Sequence, residues 1–181
     1  MKQREETIVL GGGCFWCTEA IFQELRGVTS VVPGYAGGIT NNPSYYEVAD
    51  GKTGHAEVIK IEFDPLLIPL ADLLEIFWHI HNPTTLNQQG NDIGTQYRSV
   101  ILYTSDEQKK IIDHSLTHVK EIHMYKDPIV TEVLRLDSFY PAESYHKDYY
   151  IQHRDDAYCR VIIAPKLQKL REKYRNMLQK K

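Results

Sequence analysis

Ala56-Glu57-Val58-Ile59-Lys60-Ile61-Glu62-Phe63 is the stretch on which the fold turns. Ile59, Ile61 and Phe63 alternate with Lys60 and Glu62, the period of a strand with one apolar face. Glu57 is in phase with the three apolar residues, so the same period turns its carboxyl inward. Burial there disfavours the charged form and raises the pKa, which a carboxylic acid needs to donate a proton near neutral pH. Val58 is apolar too, and a slip of one residue would instead leave Glu57 as a solvated charge.

Upstream, Ile8-Val9-Leu10 runs into Gly11-Gly12-Gly13-Cys14-Phe15-Trp16-Cys17-Thr18-Glu19. Three glycines allow a sharp turn and close approach of the backbone. A cysteine placed where a helix begins is biased toward thiolate, below the ~8.5 of a free thiol. The helix is expected to reach about Leu25, with Ala20, Ile21 and Leu25 at helical spacing. Glu19 is expected to stabilise its first turn. Cys14 and Cys17 form C-x-x-C, read as a dithiol redox pair or half a zinc site; small buried thiols are the plainer alternative.

Downstream of the glycine-rich helix, residues 28–38 read as a β segment broken by Pro33-Gly34, and 40–44 as a loop, followed by Tyr45-Tyr46 and a turn over 49–54. Past the alternating strand, a helix spans 70–81 and an aperiodic stretch spans 82–96, a length usually functional or disordered inside a compact domain. A strand at 98–104 leads to Ser105-Asp106-Glu107-Gln108, which has the form of a capping box. The helix it starts runs to about Tyr125 with Ile111, Ile112, Val119 and Ile122 inward. An alternating strand covers 129–136, a short helix lies around 142–152, and a basic helix runs from about Pro165 to the end. The first six elements read βαββαβ, the split arrangement of an α+β, ferredoxin-like (plait) two-layer sandwich with helices on one face. An irregular C-terminal extension follows, and residues 1–181 are expected to make a single domain.

A formal net charge of -3 argues against a nucleic-acid partner. No apolar run approaches the ~20 residues of a membrane span. The charged start Met1-Lys2-Gln3-Arg4-Glu5-Glu6 does not read as a signal peptide. Three cysteines are too few for a secreted disulfide scaffold and fit a reducing cytoplasm. His55 reads as a structural hydrogen-bonding residue beside Glu57. His114 and His118, though spaced i, i+4, fall off the apolar stripe and read as a solvated face rather than a metal site.

Several separated motifs together resemble the peptide methionine sulfoxide reductase A family. They are Gly13-Cys14-Phe15-Trp16 with Glu19, Gly34-Tyr35-Ala36-Gly37-Gly38, Asn42-Pro43-Ser44-Tyr45, Thr53-Gly54-His55-Ala56-Glu57-Val58 and Gly90-Asn91-Asp92-Ile93-Gly94-Thr95-Gln96-Tyr97-Arg98-Ser99. Ala142-Glu143-Ser144-Tyr145-His146 and Tyr158-Cys159-Arg160 extend the likeness to nearly the whole chain. The resemblance implies thiol-dependent reduction of the S epimer of methionine sulfoxide, free or in oxidised proteins. It implies Cys14 as nucleophile, Glu57 as proton donor, and Phe15 and Trp16 as the pocket for the substrate methyl group. Tyr45 and Tyr97 are implied as the hydroxyls that hold the sulfoxide oxygen, with Asp92 in their network. No cofactor or metal is implied; the partner is thioredoxin or a similar dithiol, and the protein is expected as a monomer without a membrane.

The chain departs from the family's familiar pattern in carrying Cys17 after Phe15-Trp16 and a single cysteine, Cys159, in its tail. Either thiol is able to resolve a Cys14 sulfenic acid, and the reading favours Cys17. Two other classes compete. A thioredoxin-like oxidoreductase shares the C-x-x-C but leaves the glycines and the later motifs without a use. A zinc module of Cys14, Cys17, Cys159 and His153 is the non-enzymatic alternative.

Overall fold

The chain enters the fold through β1 (Glu6–Gly12), turns into α1 (Phe15–Phe22) and returns as β2 (Val28–Ala36). A short helix, α2 (Tyr45–Ala49), precedes β3 (Ala56–Phe63) and α3 (Leu70–Ile80). Next come a small hairpin of β4 (Gln88–Gln89) and β5 (Asp92–Ile93), then β6 (Ser99–Tyr103), α4 (Asp106–Glu121) and β7 (Glu132–Arg135). β8 (Phe139–Pro141), α5 (Tyr149–Gln152) and α6 (Ala164–Lys173) complete the order. This computed structural model describes residues 5–180; residues 1–4, with most of the charged N-terminal start, and Lys181 lie outside them.

Six strands form one mixed sheet in the order β7-β6-β1-β3-β2-β8. β6 and β7 run parallel, and the other neighbouring pairs are antiparallel. The architecture is α+β. β3 lies between β1 and β2, with Ile59 opposite Leu10 on one side and Pro33 on the other. Ile59, Ile61 and Phe63 join the large core with Phe22, Phe77, Ile112 and Leu167 from four helices. Ala56 and Val58 join a smaller cluster with Val9, Val100 and Leu102 on the opposite face. Alternation therefore puts Glu57 on the helix side, where it is 3% exposed.

Several local expectations need correction. Ser105 accepts the Gln108 N–H, but the Gln108 side chain accepts from Thr104 N and donates to Thr7 O, both at 2.9 Å. It ties α4 to β1 instead of closing a capping box. That motif occurs in full at Ser44 and Glu47, where Ser44 ends the loop and caps a helix that begins at Tyr45. α4 stops at Glu121, short of Tyr125, and His123 takes a left-handed φ of 49°. Ile112 and Val119, seven apart, face the core, whereas Ile111 and Ile122 are exposed. The strand expected over 129–136 shortens to four residues at the sheet edge, where exposed Glu132 and Arg135 discourage further pairing. The helix expected over 142–152 is broken by Asp148 at φ 55° into a turn at Ser144–His146 and α5. Among the described residues no helix is long and apolar enough to cross a membrane.

Candidate active site

The glycine turn places the reactive end of α1. Gly13 has φ 95°, and a Cβ there would stand 2.6 Å from Gln89 Cγ, so both backbone and space require glycine. At Gly11 a Cβ would meet Val100 Cγ1 at 2.7 Å, so β6 comes close to β1 at this point. Cys14 is the N-cap residue of α1 and its side chain caps nothing. The first free helix donor goes elsewhere: Phe15 N–H bonds to Glu57 Oε2 at 3.1 Å. The inward carboxyl of β3 is thus locked to the turn that carries the thiol.

A small cavity of about 70 Å³ opens on Cys14, lined by Phe15, Trp16, Tyr45, Glu57, Asp92, Tyr97 and Tyr158. Burial pushes Glu57 up to about 8, against the pull of the Phe15 N–H; the charge of Asp92 adds to the push. Burial also raises Tyr45 and Tyr97, so both phenols keep their protons as hydrogen-bond donors. Asp92 Oδ2 accepts from Tyr158 OH at 2.9 Å, and Tyr158 OH lies 3.7 Å from Cys17 Sγ. Arg98 braces this side. Its guanidinium donates to Thr95 O, Gly54 O and Glu132 Oε2, fixing the backbone on which Tyr97 sits.

The aromatic wall is built from both ends of the chain. Trp16 Nε1 donates to His146 Nδ1 at 3.0 Å, and the indole stacks on Tyr149 at 3.6 Å and 4°. Phe15 packs at 5.0 Å from His146 and 5.8 Å from Tyr35. Glu143 accepts from Tyr45 N and Tyr35 OH, joining α2 to this cluster. Burial lowers the His146 pKa and keeps the imidazole neutral, consistent with Nδ1 acting as acceptor.

The cavity gathers seven of the nine residues singled out in the sequence. Cys17 lies just behind it, 3% exposed and hydrogen-bonded to Cys14; Cys159 is fully buried in the helical core. Tyr158, His146, Tyr149 and Glu143 went unassigned, since nothing periodic marks an irregular segment. Only the motifs Ala142–His146 and Tyr158–Arg160 pointed there. One electrostatic expectation reverses: burial, the bond to Cys17 and the nearby Glu57 push the Cys14 thiol up, not toward thiolate. Its hydrogen bond holds Cys17 down, to about 7. Glu19 also departs from expectation and bonds across to the Asp148 backbone. His55 accepts from Gly38 N and pairs with Thr40 O, bracing the loop before β3. Among the described residues no group of three or more His, Cys, Asp or Glu side chains is arranged to hold a metal; His153 stacks on Tyr149 instead.

The family description "Peptide methionine sulfoxide reductase" matches residues 6–178. The chain belongs to the peptide methionine sulfoxide reductase family. It is similar to the peptide methionine sulfoxide reductase MsrA of Polynucleobacter asymbioticus, 54% identical over 96% of this chain and 91% of that one. The MsrA of Sulfolobus acidocaldarius is 52% identical over 93% and 95%. In three dimensions it resembles reduced Mxr1 of Saccharomyces cerevisiae, with TM-score 0.80, 31% identity, and coverage of 88% and 91%. Mxr1 has also been solved in complex with Trx2. The protein is a peptide-methionine sulfoxide reductase, an oxidoreductase.

Proposed function

We propose that the enzyme reduces the S epimer of methionine sulfoxide, in oxidised proteins or free, through Cys14. The observation that carries this reading is one cavity holding a thiol, a buried acid raised to about 8, two phenols and an aromatic wall. Cys14 attacks the sulfoxide sulfur while Glu57, through the oxygen not bonded to Phe15 N–H, protonates the departing oxygen; Tyr45 and Tyr97 stabilise the charge developing there. Phe15 and Trp16 wall the place of the methyl group. With sulfur, oxygen and methyl each assigned a position, the remaining substituent has one exit, so one epimer is productive.

Oxygen passes to Cys14 as methionine leaves, giving the sulfenic acid. Cys17, already hydrogen-bonded to Cys14, then forms the disulfide and releases water; the two thiol protons leave with the oxygen, and Glu57 regains its own. An external dithiol of the thioredoxin type returns both thiols, a reading that the solved complex of Mxr1 with Trx2 supports. A chain with three cysteines in all suits a reducing cytoplasm better than a disulfide scaffold. We also read β6-β1-β3-β2 with α1 and α3 as the split-βαβ plait, and the chain as a single-domain monomer.

The test is peptide mapping after one turnover on separated epimers. The expected product is a Cys14–Cys17 disulfide formed with the S epimer only, and Cys14→Ser releases no methionine. A Cys14–Cys159 bridge would reassign the resolving thiol, and turnover by Cys14→Ser would remove the nucleophile.

A further inference from the structure

Glu19 is a buried carboxyl on α1, 1% exposed, for which the reduction chemistry has no use. Its Oε1 accepts Asp148 N–H at 2.9 Å, and its carboxylate also takes the Tyr149 N–H. Gln23, one turn further along α1, donates to Asp148 Oδ1 at 2.7 Å and to Glu19 Oε1 at 3.5 Å. Asp148 is held at φ 55°, a left-handed conformation uncommon outside glycine, which the surrounding bonds must sustain. The two residues flanking that turn converge on one ring: His146 accepts the Trp16 Nε1–H and Tyr149 stacks on the indole. Trp16 itself stands three residues before Glu19, on the same side of the helix.

We propose that Glu19 is a positioning residue for the substrate pocket, its carboxylate clamping the Asp148-Tyr149 turn to α1 so that His146 and Tyr149 hold the Trp16 ring. The turn's backbone donors meet a carboxylate that accepts on either oxygen, whereas glutamine accepts on one atom only and its NH₂ faces a donor. Released from the turn, Tyr149 loses its register with the indole, and the methyl wall loosens while Cys14 and Glu57 stay fixed by β1 and β3. The effect falls on binding more than on chemistry.

The test compares Glu19→Gln with the wild type at pH 8, where Glu19, raised by burial to about 7, is ionised. Both proteins carry 5-fluorotryptophan, and the chain has two tryptophans. Trp78, buried and bonded to Ser115, serves as an internal control in fluorine NMR. The expected result is a displaced or broadened Trp16 resonance with an unmoved Trp78 resonance. KM for a methionine sulfoxide peptide rises about fivefold while the single-turnover rate at saturation stays within about twofold. Tyr149→Leu gives the same phenotype, and the double variant is no worse than the worse single one, since both act through one contact. An unmoved Trp16 resonance, displacement of both resonances, or an unchanged KM each overturns the proposal. Should Glu19→Gln not fold, Gln23→Leu removes the Asp148 half of the clamp and is read the same way. The KM measurement rests on the reduction reading and the NMR measurement does not, so failure of one is distinguishable from failure of the other.

Discussion

Besides the Asp92 and Tyr97 segment, two regions of the chain build the pocket and its backing, and they hold their groups by different means. Residues 6–63 supply Cys14, Phe15, Trp16, Tyr45 and Glu57, with the thiol and the acid anchored by adjacent central strands of the sheet. Residues 139–163 supply His146, Tyr149 and Tyr158 from turns and half-turns, fastened by side-chain bonds to α1 and Asp92. A ladder of backbone bonds fixes a reacting atom more tightly than a handful of exchangeable side-chain contacts. The difference teaches that reacting atoms belong to the rigid half and the walls to the clamped half. Substitutions in the first half should therefore cost orders of magnitude in rate, and those in the second far less.

The largest effect is expected for Glu57→Gln. An amide keeps the bond from Phe15 N–H but has no proton to give, so the single-turnover rate constant should fall about 10²–10⁴-fold with little change in KM. The pH profile sharpens this. Below pH 8 each unit adds Cys14 thiolate while Glu57 remains an acid, so the second-order rate constant climbs about tenfold per unit. Above about 8, where Glu57 ionises, further thiolate is offset by lost acid and the profile levels until Cys14 itself titrates. In Glu57→Gln the level should vanish and the climb continue. An unaltered wild-type profile in the variant would remove the acid role.

Stability supplies a second, smaller contrast. Glu57 has a folded pKa of about 8 against 4.5 for the free group, so the folded state holds more protons across that window. Its contribution is complete below pH 4.5 and is lost as pH rises through about 8. For a group this buried the loss is on the order of 5 kcal/mol at most. Urea midpoints of the wild type should decline from pH 5 to pH 9, and those of Glu57→Gln should decline much less. Glu19, raised to about 7, leaves a residual slope between pH 4.5 and 7 in the variant. Equal slopes in both proteins would mean that Glu57 is not buried as a neutral acid.

The same division governs what sequence reveals. The period of β3 revealed the inward Glu57, because a strand flanked by two others must keep its phase; its central place in the sheet did not follow from period. Gly13 and Cys14 were legible for a similar reason: a backbone that needs φ 95° admits few residues. Tyr45, Tyr97 and Asp92 came from motif resemblance, since no period distinguishes one tyrosine among twelve. His146, Tyr149 and Tyr158 were illegible as wall and network residues; their roles depend on Asp148 turning left-handed and on bonds spanning 125 to 141 positions. The raised Cys14 pKa escaped as well. A helix N-terminus was legible, whereas the burial that outweighs it belongs to the closed fold.

Cys159→Ser gives the smallest expected change and tests the clamped half most directly. Cys17 shares a hydrogen bond with Cys14, so the two thiols already lie side by side. Cys159 is fully enclosed by the helical core, so its thiol would have to leave that packing to reach a sulfenic acid at Cys14. Serine in the same place keeps the volume but adds a hydroxyl to an apolar site, costing about 1–2 kcal/mol. The variant should melt a few degrees lower and still turn over with a dithiol reductant within about twofold of the wild type. A stall after one methionine per enzyme would show instead that the C-terminal segment unclasps during each cycle, making it a moving part of the chemistry rather than a wall.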